Sequence, residues 1–230
     1  MEISKAKLAV DAQAELDHPL LDYRTSESRA KTEWMVKHIS PYVEAGRKLL
    51  DVGCSSGKHT FRAAELGLKA TGIDCSEGML ARARDLATES EMNIDLVSGD
   101  YTKMPFEDDS FDYALFPKNI VECDYSEYQA LVDELSRVLD REGLLFLTMV
   151  DWVDRIAGAG TGTSSNYNRM TGIYESTITI PGKGIFDYPT TFWTIGFARF
   201  ITEQRFDLVD SRVLDSRPTI LLVFRLKQGQ

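Results

Sequence analysis

The sequence has few of the side chains that build disulfide or metal frameworks: three cysteines and three histidines in 230 residues. Cys54, Cys75 and Cys123 lie far apart without a C-x-x-C pair, which argues against a disulfide scaffold and against a structural metal site. No apolar run approaches the roughly 18 residues that span a bilayer, and the first residues lack the apolar stretch of a signal peptide. We therefore expect a cytoplasmic protein with no membrane partner.

Basic side chains are also scarce, because 26 lysines and arginines face 36 aspartates and glutamates and leave a formal net charge of −10. Such a surface repels phosphate backbones, so nucleic acid is not the expected partner. With 43% hydrophobic side chains, 230 residues can bury one full core. We expect one globular unit that acts on a small molecule, and the sequence carries no signal for its oligomeric state.

Residues 47–60 join a short apolar run to a turn of small residues. Leu49, Leu50 and Val52 have the pattern of a buried strand, and Gly53 permits a sharp turn after it. Ser55, Ser56 and Gly57 then let a ligand approach the backbone, and the helix that follows would point its first N–H groups at that ligand. A glycine turn of this kind also occurs as a purely structural feature of α/β folds.

From residue 47 onward the apolar pattern alternates between strands and helices, as in a parallel sheet covered by helices. The predicted strands are 47–52, 69–74, 94–98, 111–116, 143–150, 206–214 and 218–226. The predicted helices are 26–43, 57–66, 77–88, 126–139 and 190–204, with a break near Pro41 and with Ser126 and Gln129 as a capping box. The prediction is an α/β fold: a Rossmann-like, doubly wound, seven-stranded sheet, mostly parallel with a C-terminal antiparallel hairpin, and helices on both faces.

Four motifs follow one another in this region. Asp74 lies 21 residues after Gly53 at the end of the second strand, where a carboxylate can bind ribose hydroxyls. The order Leu50-Asp-Val-Gly-Cys-x-x-Gly, Gly72-Ile-Asp-x-Ser-x-x-Met-Leu, Gly99-Asp-x-x-x-Met-Pro-Phe and Ser110-Phe-Asp resembles the class I S-adenosylmethionine-dependent methyltransferases, in particular the small-molecule branch. The resemblance covers residues 47 to about 150.

The resemblance implies S-adenosylmethionine as cofactor, S-adenosylhomocysteine as product and a small-molecule methyl acceptor. It implies a cradle for the methionine part of the cofactor formed by Asp51, Gly53, Cys54, Ser55 and Gly57. Asp74 would hold the ribose, Cys75 and Met79 would pack near the adenine, Asp100 would accept from its amine, and Tyr101 would flank the ring. Pro117, within the segment 116–119, would border the methyl group.

One position departs from the family pattern, because Ser55 stands where these proteins usually have glycine. We expect the loop there to be slightly tighter or less close to the ligand. An NAD-dependent dehydrogenase is the main rival, but its fingerprint requires G-x-G-x-x-G, whereas this turn reads Gly53-Cys-Ser-Ser-Gly. A member that binds the cofactor without catalysing transfer is the other alternative.

Catalytic and substrate residues carry weaker signals. Glu122 and Lys118 follow the fourth strand near the expected methyl position, and Glu122 is the first choice for a general base or substrate anchor. A surface acid near a helix start is the competing interpretation for Glu122. Tyr23, Tyr188 and Trp193 are expected to wall the substrate pocket, although packing beneath the insertion would also explain such aromatic residues. No metal is expected.

Four segments describe the expected organisation of the chain. Residues 1–45 form an N-terminal helical cap, 46–150 the Rossmann-like core that binds S-adenosylmethionine, 151–204 a substrate-cap insertion with a helix, and 205–230 a hairpin that completes the sheet. The stretch 151–188 is rich in Gly, Ser, Thr and Asn and loses the regular pattern. Such long excursions are usually functional or mobile.

Overall fold

The structure is a computed structural model that describes residues 5–14, 21–117, 123–150, 166–167, 173–175, 177–180, 183–187, 190–191, 194–214 and 219–228. Its helices are α1 (Lys5–Ala14), α2 (Ser26–His38), α3 (Lys58–Glu65), α4 (Glu77–Glu89), α5 (Tyr125–Val138) and α6 (Ile195–Thr202). Its strands are β1 (Lys48–Val52), β2 (Lys69–Asp74), β3 (Asp95–Ser98), β4 (Phe111–Pro117), β5 (Leu139–Val150), β6 (Asn166–Tyr167), β7 (Ile173–Glu175), β8 (Thr177–Ile180), β9 (Gly184–Asp187), β10 (Thr190–Thr191), β11 (Phe206–Leu214) and β12 (Thr219–Leu226). None of the helices within these ranges is long and apolar enough to cross a membrane.

A seven-stranded sheet forms the centre of the molecule, in the order β11-β12-β5-β4-β1-β2-β3. The pairs β1–β2, β2–β3, β1–β4 and β4–β5 are parallel, whereas β12 runs antiparallel to β5 and to β11. This arrangement confirms the predicted fold class, including the hairpin that completes the sheet. The strand order runs from β1 through β2 to β3 on one side and from β4 to β5 on the other, so it reverses between the parallel neighbours β1 and β4. Ligands bind at such a switch point in folds of this type.

The strand β1 divides its side chains between two buried faces, because successive residues in a strand point to opposite sides. Leu50 and Val52 belong to the apolar cluster that contains α5. Leu49 packs in the second cluster, with Met35 of α2 and Ala63 of α3. Helices therefore cover both faces of the sheet, as the sequence pattern predicts.

The predicted capping box of α5 is wrong by two residues. Asp124 is the N-cap, its Oδ1 accepts from the N–H of Glu127 at 2.8 Å, and Glu127 Oε2 accepts from the N–H of Asp124 at 2.8 Å. Ser126 instead donates its hydroxyl to Asp124 Oδ1 at 2.7 Å. An aspartate is as good an N-cap as a serine, so residue type alone does not choose between the two positions.

The predicted helix 190–204 is too long. Its first two residues form β10, and the helix begins only after Thr194, whose hydroxyl accepts from the N–H of Phe197 at 3.2 Å. The helix predicted at 26–43 ends at His38, and a short 3-10 turn, Ser40–Tyr42, follows around Pro41. The break at this proline is therefore confirmed.

The insertion expected to be irregular contains short strands in its described parts. β8 pairs with β9, and β7 pairs with β6 and β10, all antiparallel. The first helix, α1, packs against α4 and against the β8–β9 hairpin. The N-terminal segment and the insertion thus meet through α1, while the four-part division of the chain stays a prediction.

Candidate cofactor site at the strand ends

The turn after β1 folds back onto the end of β2 through its main chain. Gly53 and Cys54 both donate their N–H groups to the carbonyl oxygen of Ile73, at 2.8 and 3.0 Å. The next N–H, that of Ser55, donates to Asp74 Oδ2 at 2.8 Å. A Cβ atom added at Gly72 would lie 2.7 Å from the Cys54 sulfur, so the close approach of turn and strand requires glycine there.

Three of the five residues in this turn have left-handed backbone conformations: Gly53 (φ 69°), Ser55 (φ 53°) and Gly57 (φ 84°). Glycine adopts this region without penalty, whereas serine does not. Ser55 stands where the methyltransferases that this sequence resembles usually have glycine, and the backbone conformation there favours glycine. Gly57 also caps α3, and it provides no side-chain hydrogen bond, so the first N–H groups of that helix face the turn.

Asp51 is a fully buried carboxyl group at the end of β1. Its Oδ2 accepts from the Thr60 hydroxyl at 2.7 Å, while Oδ1 is buried and has no hydrogen-bond partner in the part of the chain that the structure describes. Burial raises the pKa of Asp51 to about 7, against the opposing effects of the Thr60 hydrogen bond and the charge of Lys58, and the charge of Asp74 raises it further. A ligand cation beside Oδ1 would supply the missing partner.

Asp74 ends β2 and lies between two turns. Its Oδ2 accepts from the N–H of Ser55 and its Oδ1 accepts from the N–H of Ser76, both at 2.8 Å. A carboxylate oxygen can accept more than one hydrogen bond, so a carboxylate oriented in this way suits a diol. Cys75 next to it is exposed, and Met79 in the first turn of α4 is buried.

The turn after β3 carries Asp100 and Tyr101. Asp100 is exposed, and its Oδ1 accepts from the N–H and the hydroxyl of Thr102 at 2.8 and 2.7 Å. Tyr101 is half-buried, its ring centroid lies 6.4 Å from that of Phe116, and its Oη accepts a long contact from the Cys123 sulfur at 3.5 Å. The ends of β3 and β4 are therefore joined through Tyr101.

Helix α5 holds the Met-Pro-Phe part of the third motif. Glu134 Oε2 accepts from the N–H of Met104 at 2.7 Å, and Arg137 donates to the carbonyl oxygens of Met104 and Phe106 at 3.1 and 2.7 Å. Arg137 and Glu134 are also bonded to each other at 2.8 Å. These two residues were not found from the sequence, because an acid and an arginine three apart on a helix give no signal of the distant loop they bind.

Thr60 and Ser76 were also not found, although both gave a signal. Ser76 stands directly before the predicted helix 77–88, the position of an N-cap, and its hydroxyl accepts from the N–H of Met79 at 3.3 Å. Thr60 lies in the first turn after the glycine turn, facing the end of β1. A hydroxyl at that position is a natural partner for a buried strand-end carboxyl group.

The other predicted residues are placed as follows. Pro117 is the buried last residue of β4, at the same edge of the sheet as Asp51 and Asp74. Tyr23 is buried, stacks on Phe61 with centroids 4.0 Å apart, and bonds to the Met92 sulfur at 3.1 Å. These contacts pack Tyr23 against α3, and its role in a substrate pocket stays a prediction. Outside the described residues lie Lys118, Glu122, Tyr188 and Trp193.

The cysteines differ in their surroundings. Cys54 and Cys123 are buried, and burial raises the pKa of the Cys54 thiol well above its ordinary value. A thiol with a raised pKa stays protonated and unreactive near neutral pH. In the described ranges of the chain, no group of three or more His, Cys, Asp or Glu side chains could hold a metal ion.

Residues 49–143 match a family model described as a methyltransferase domain. A demethylmenaquinone methyltransferase of Staphylococcus aureus (strain MRSA252) is 37% identical over 106 residues, which are 45% of this chain and 43% of that protein. The chain thus spans less than half of the length of the curated relatives it matches.

Among solved structures, a protein of Pyrococcus horikoshii OT3 aligns with a TM-score of 0.81 at 23% identity, covering 92% of this chain and 97% of that one. A methyltransferase of Methanosarcina mazei, described as dependent on S-adenosylmethionine, aligns at 0.68 with 22% identity, covering 82% and 96%. These likenesses extend the agreement in fold beyond the matched domain. Residues 49–143 therefore match a methyltransferase domain, and the chain around them shares the fold of the Methanosarcina mazei methyltransferase.

Proposed function

We propose that this protein binds S-adenosylmethionine over the carboxyl ends of β1, β2 and β3 and transfers its methyl group to a small-molecule acceptor. The observation that carries the proposal is the placement of Asp74, whose two oxygens are held by N–H groups from the turns after β1 and β2. A carboxylate held at both oxygens is oriented before the ligand arrives, which lowers the cost of binding a ribose diol.

The methionine end of the cofactor fits the cradle around the first turn. The buried Asp51 Oδ1 has no hydrogen-bond partner among the described residues and offers an acceptor for an ammonium group. The uncapped start of α3 offers N–H donors for a carboxylate. The residues proposed to line this end are Asp51, Gly53, Cys54, Ser55 and Gly57.

The adenine end fits the turns after β2 and β3. The exposed Asp100 has its Oδ1 occupied by Thr102, and its Oδ2 is the proposed acceptor for the exocyclic amine. Tyr101 is the proposed flat contact on one side of the ring. Cys75 and Met79 are the proposed contacts from the start of α4.

When bound, S-adenosylmethionine supplies an electrophilic methyl group that an in-line nucleophile can take. The chain's own task is to align the acceptor and to remove its proton where the acceptor carries one. Pro117 brings the main chain to the strand edge beside the cradle, and the following segment contains Lys118 and Glu122. Glu122 is the proposed proton acceptor or acceptor anchor, with Lys118 as a second polar contact.

The proposed acceptor is apolar and flat, and an exposed aromatic cluster at the start of α5 is its proposed contact. Tyr125, at the start of α5, packs edge-to-face against Phe197 of α6 with centroids 4.9 Å apart, and Phe197 lies 6.3 Å from Phe200. All three rings are exposed. The name of the Staphylococcus aureus relative, a demethylmenaquinone methyltransferase, agrees with an apolar acceptor. Tyr188 and Trp193 are the further proposed acceptor contacts.

Thermal unfolding with S-adenosylmethionine, S-adenosylhomocysteine or NAD tests the cofactor assignment. A ligand at a hundred times its Kd stabilises the folded state by about 2.7 kcal/mol, which raises Tm by roughly 5–10 °C in a chain of this size. We expect such a shift with the two sulfur nucleosides. Asp74→Ala should abolish it, whereas Asp85→Ala, an exposed acid on α4, should retain it.

The outcomes separate the alternatives. A shift with NAD alone would refute the proposal in favour of a dehydrogenase, and no shift with either sulfur nucleoside would refute cofactor binding. A shift without any S-adenosylhomocysteine formed from S-adenosylmethionine, across a panel of apolar phenol, quinol and amine acceptors, would favour the non-catalytic alternative.

A further inference from the structure

The first helix lies across the start of α4, next to the ribose acid. The Ser76 hydroxyl, which caps α4, donates a hydrogen bond to the carboxylate of Asp11 in α1. The two helices approach closely here, because a Cβ atom added at Gly78 would lie 3.1 Å from Ala14 Cβ. The same helix α1 also contacts the β8–β9 hairpin. It therefore connects the insertion to the edge of the cofactor cradle.

Ser76 makes a different hydrogen bond with each of its polar groups. Its hydroxyl donates to the Asp11 carboxylate and accepts from the N–H of Met79, while its own N–H donates to Asp74 Oδ1 at 2.8 Å. Ser76 is fully buried, so water cannot replace these bonds without opening the helix contact. The hydrogen bond to α1 thus orients Ser76, and the N–H of Ser76 in turn orients one oxygen of Asp74.

We propose that Asp11 is a positioning residue for the cofactor, which acts through Ser76 on the carboxylate of Asp74. Without the Asp11 carboxylate, the Ser76 hydroxyl loses its charged acceptor, and the peptide group that orients Asp74 Oδ1 gains freedom. A diol is bound by two hydrogen bonds whose strength falls with small errors of angle. The helix α1 then contributes to cofactor affinity without touching the cofactor. This inference rests on the proposed function.

The test compares the affinities of two ligands, S-adenosylhomocysteine and its 2′-deoxyadenosyl analogue, by calorimetry. The analogue lacks one ribose hydroxyl, so the ratio of the two Kd values measures how well Asp74 is positioned. We expect the wild-type chain to prefer S-adenosylhomocysteine about tenfold, in line with the loss of one charge-assisted hydrogen bond. Asp11→Ala should weaken binding of S-adenosylhomocysteine about tenfold and reduce the preference to about twofold.

Two further variants separate positioning from folding. Asp11→Asn keeps an oxygen that accepts from the Ser76 hydroxyl, so it should restore most of the preference. Asp85→Ala, the matched loss of an exposed aspartate on α4, should leave both Kd values unchanged. If Asp11→Ala fails to fold, Ser76→Ala takes its place, because it keeps the N–H on Asp74 but removes the hydroxyl. Its two Kd values are then compared with those of Asp11→Asn.

The possible results distinguish positioning by Asp11 from an effect on stability alone. A variant at Asp11 that weakens both ligands equally and leaves their ratio at the wild-type value would overturn the inference, since Asp11 would then act only on the stability of α1. Unchanged affinities would overturn it as well. A wild-type chain that binds neither ligand would instead refute the proposed function, and that result is distinguishable because no ratio exists.

Discussion

Asp51 is expected to make the stability of this protein fall with rising pH, and its replacement by asparagine isolates that effect. The carboxyl group is fully buried and its folded-state pKa is about 7, against an ordinary value of 3.8. Between these two values the folded chain keeps a proton that the unfolded chain releases. Stability is therefore fully present below about pH 4 and is lost as the pH rises to 7.

The size of the effect follows from the shift. A difference of about three pKa units corresponds to about 4 kcal/mol, at 1.36 kcal/mol for each unit. Water penetration and relaxation reduce the cost of a buried charge, so the measured difference should be smaller than this value. From pH 5 to pH 7 we expect Asp51→Asn to gain about 2 kcal/mol relative to the wild-type chain.

Urea unfolding at pH 5, 6, 7 and 8 measures this difference, with the slope against urea held common to both chains. Asp85→Asn, an exposed site, is the control and should run parallel to the wild type. Saturating S-adenosylhomocysteine should flatten the pH dependence of the wild type, since an ammonium group beside Oδ1 favours the carboxylate. A free-energy difference between Asp51→Asn and wild type that stays constant from pH 5 to 8 would refute the reasoning.

Three other substitutions test the packing of the helices. Arg137→Met should destabilise the chain by about 1–3 kcal/mol and weaken S-adenosylhomocysteine binding, because the Arg137 guanidinium donates to the carbonyl groups of Met104 and Phe106. Unchanged affinity by calorimetry would contradict this. Gly196→Ala should stabilise the chain by about 0.5–1 kcal/mol, since nothing lies within 4 Å of the added methyl group. Gly78→Ala should give no such gain, because its methyl group would press against Ala14 of the first helix. Equal Tm shifts for the two variants would be inconsistent with this contact.

The succession of strands and helices along the chain and the position of the first turn could be predicted from the sequence, because they depend on local patterns. Short buried runs mark β1 and β2, and the spacing from Gly53 to Asp74 reflects the combined length of α3, β2 and the turns that join them. The predicted boundaries fail where local signals compete. Ser126 and Asp124 both suit an N-cap, and the aromatic residues after 190 satisfy helical spacing although β10 occupies the first positions.

The sequence by itself determined the fold class and the carboxylates at the strand ends, because these follow from residue types at short, regular spacing. Only the tertiary structure decided that Asp51 lacks a second partner, that Tyr23 packs on Phe61, and that Asp11 reaches Ser76. These features join segments far apart in the chain, and their energies come from burial and from hydrogen bonds that exist only after the elements pack.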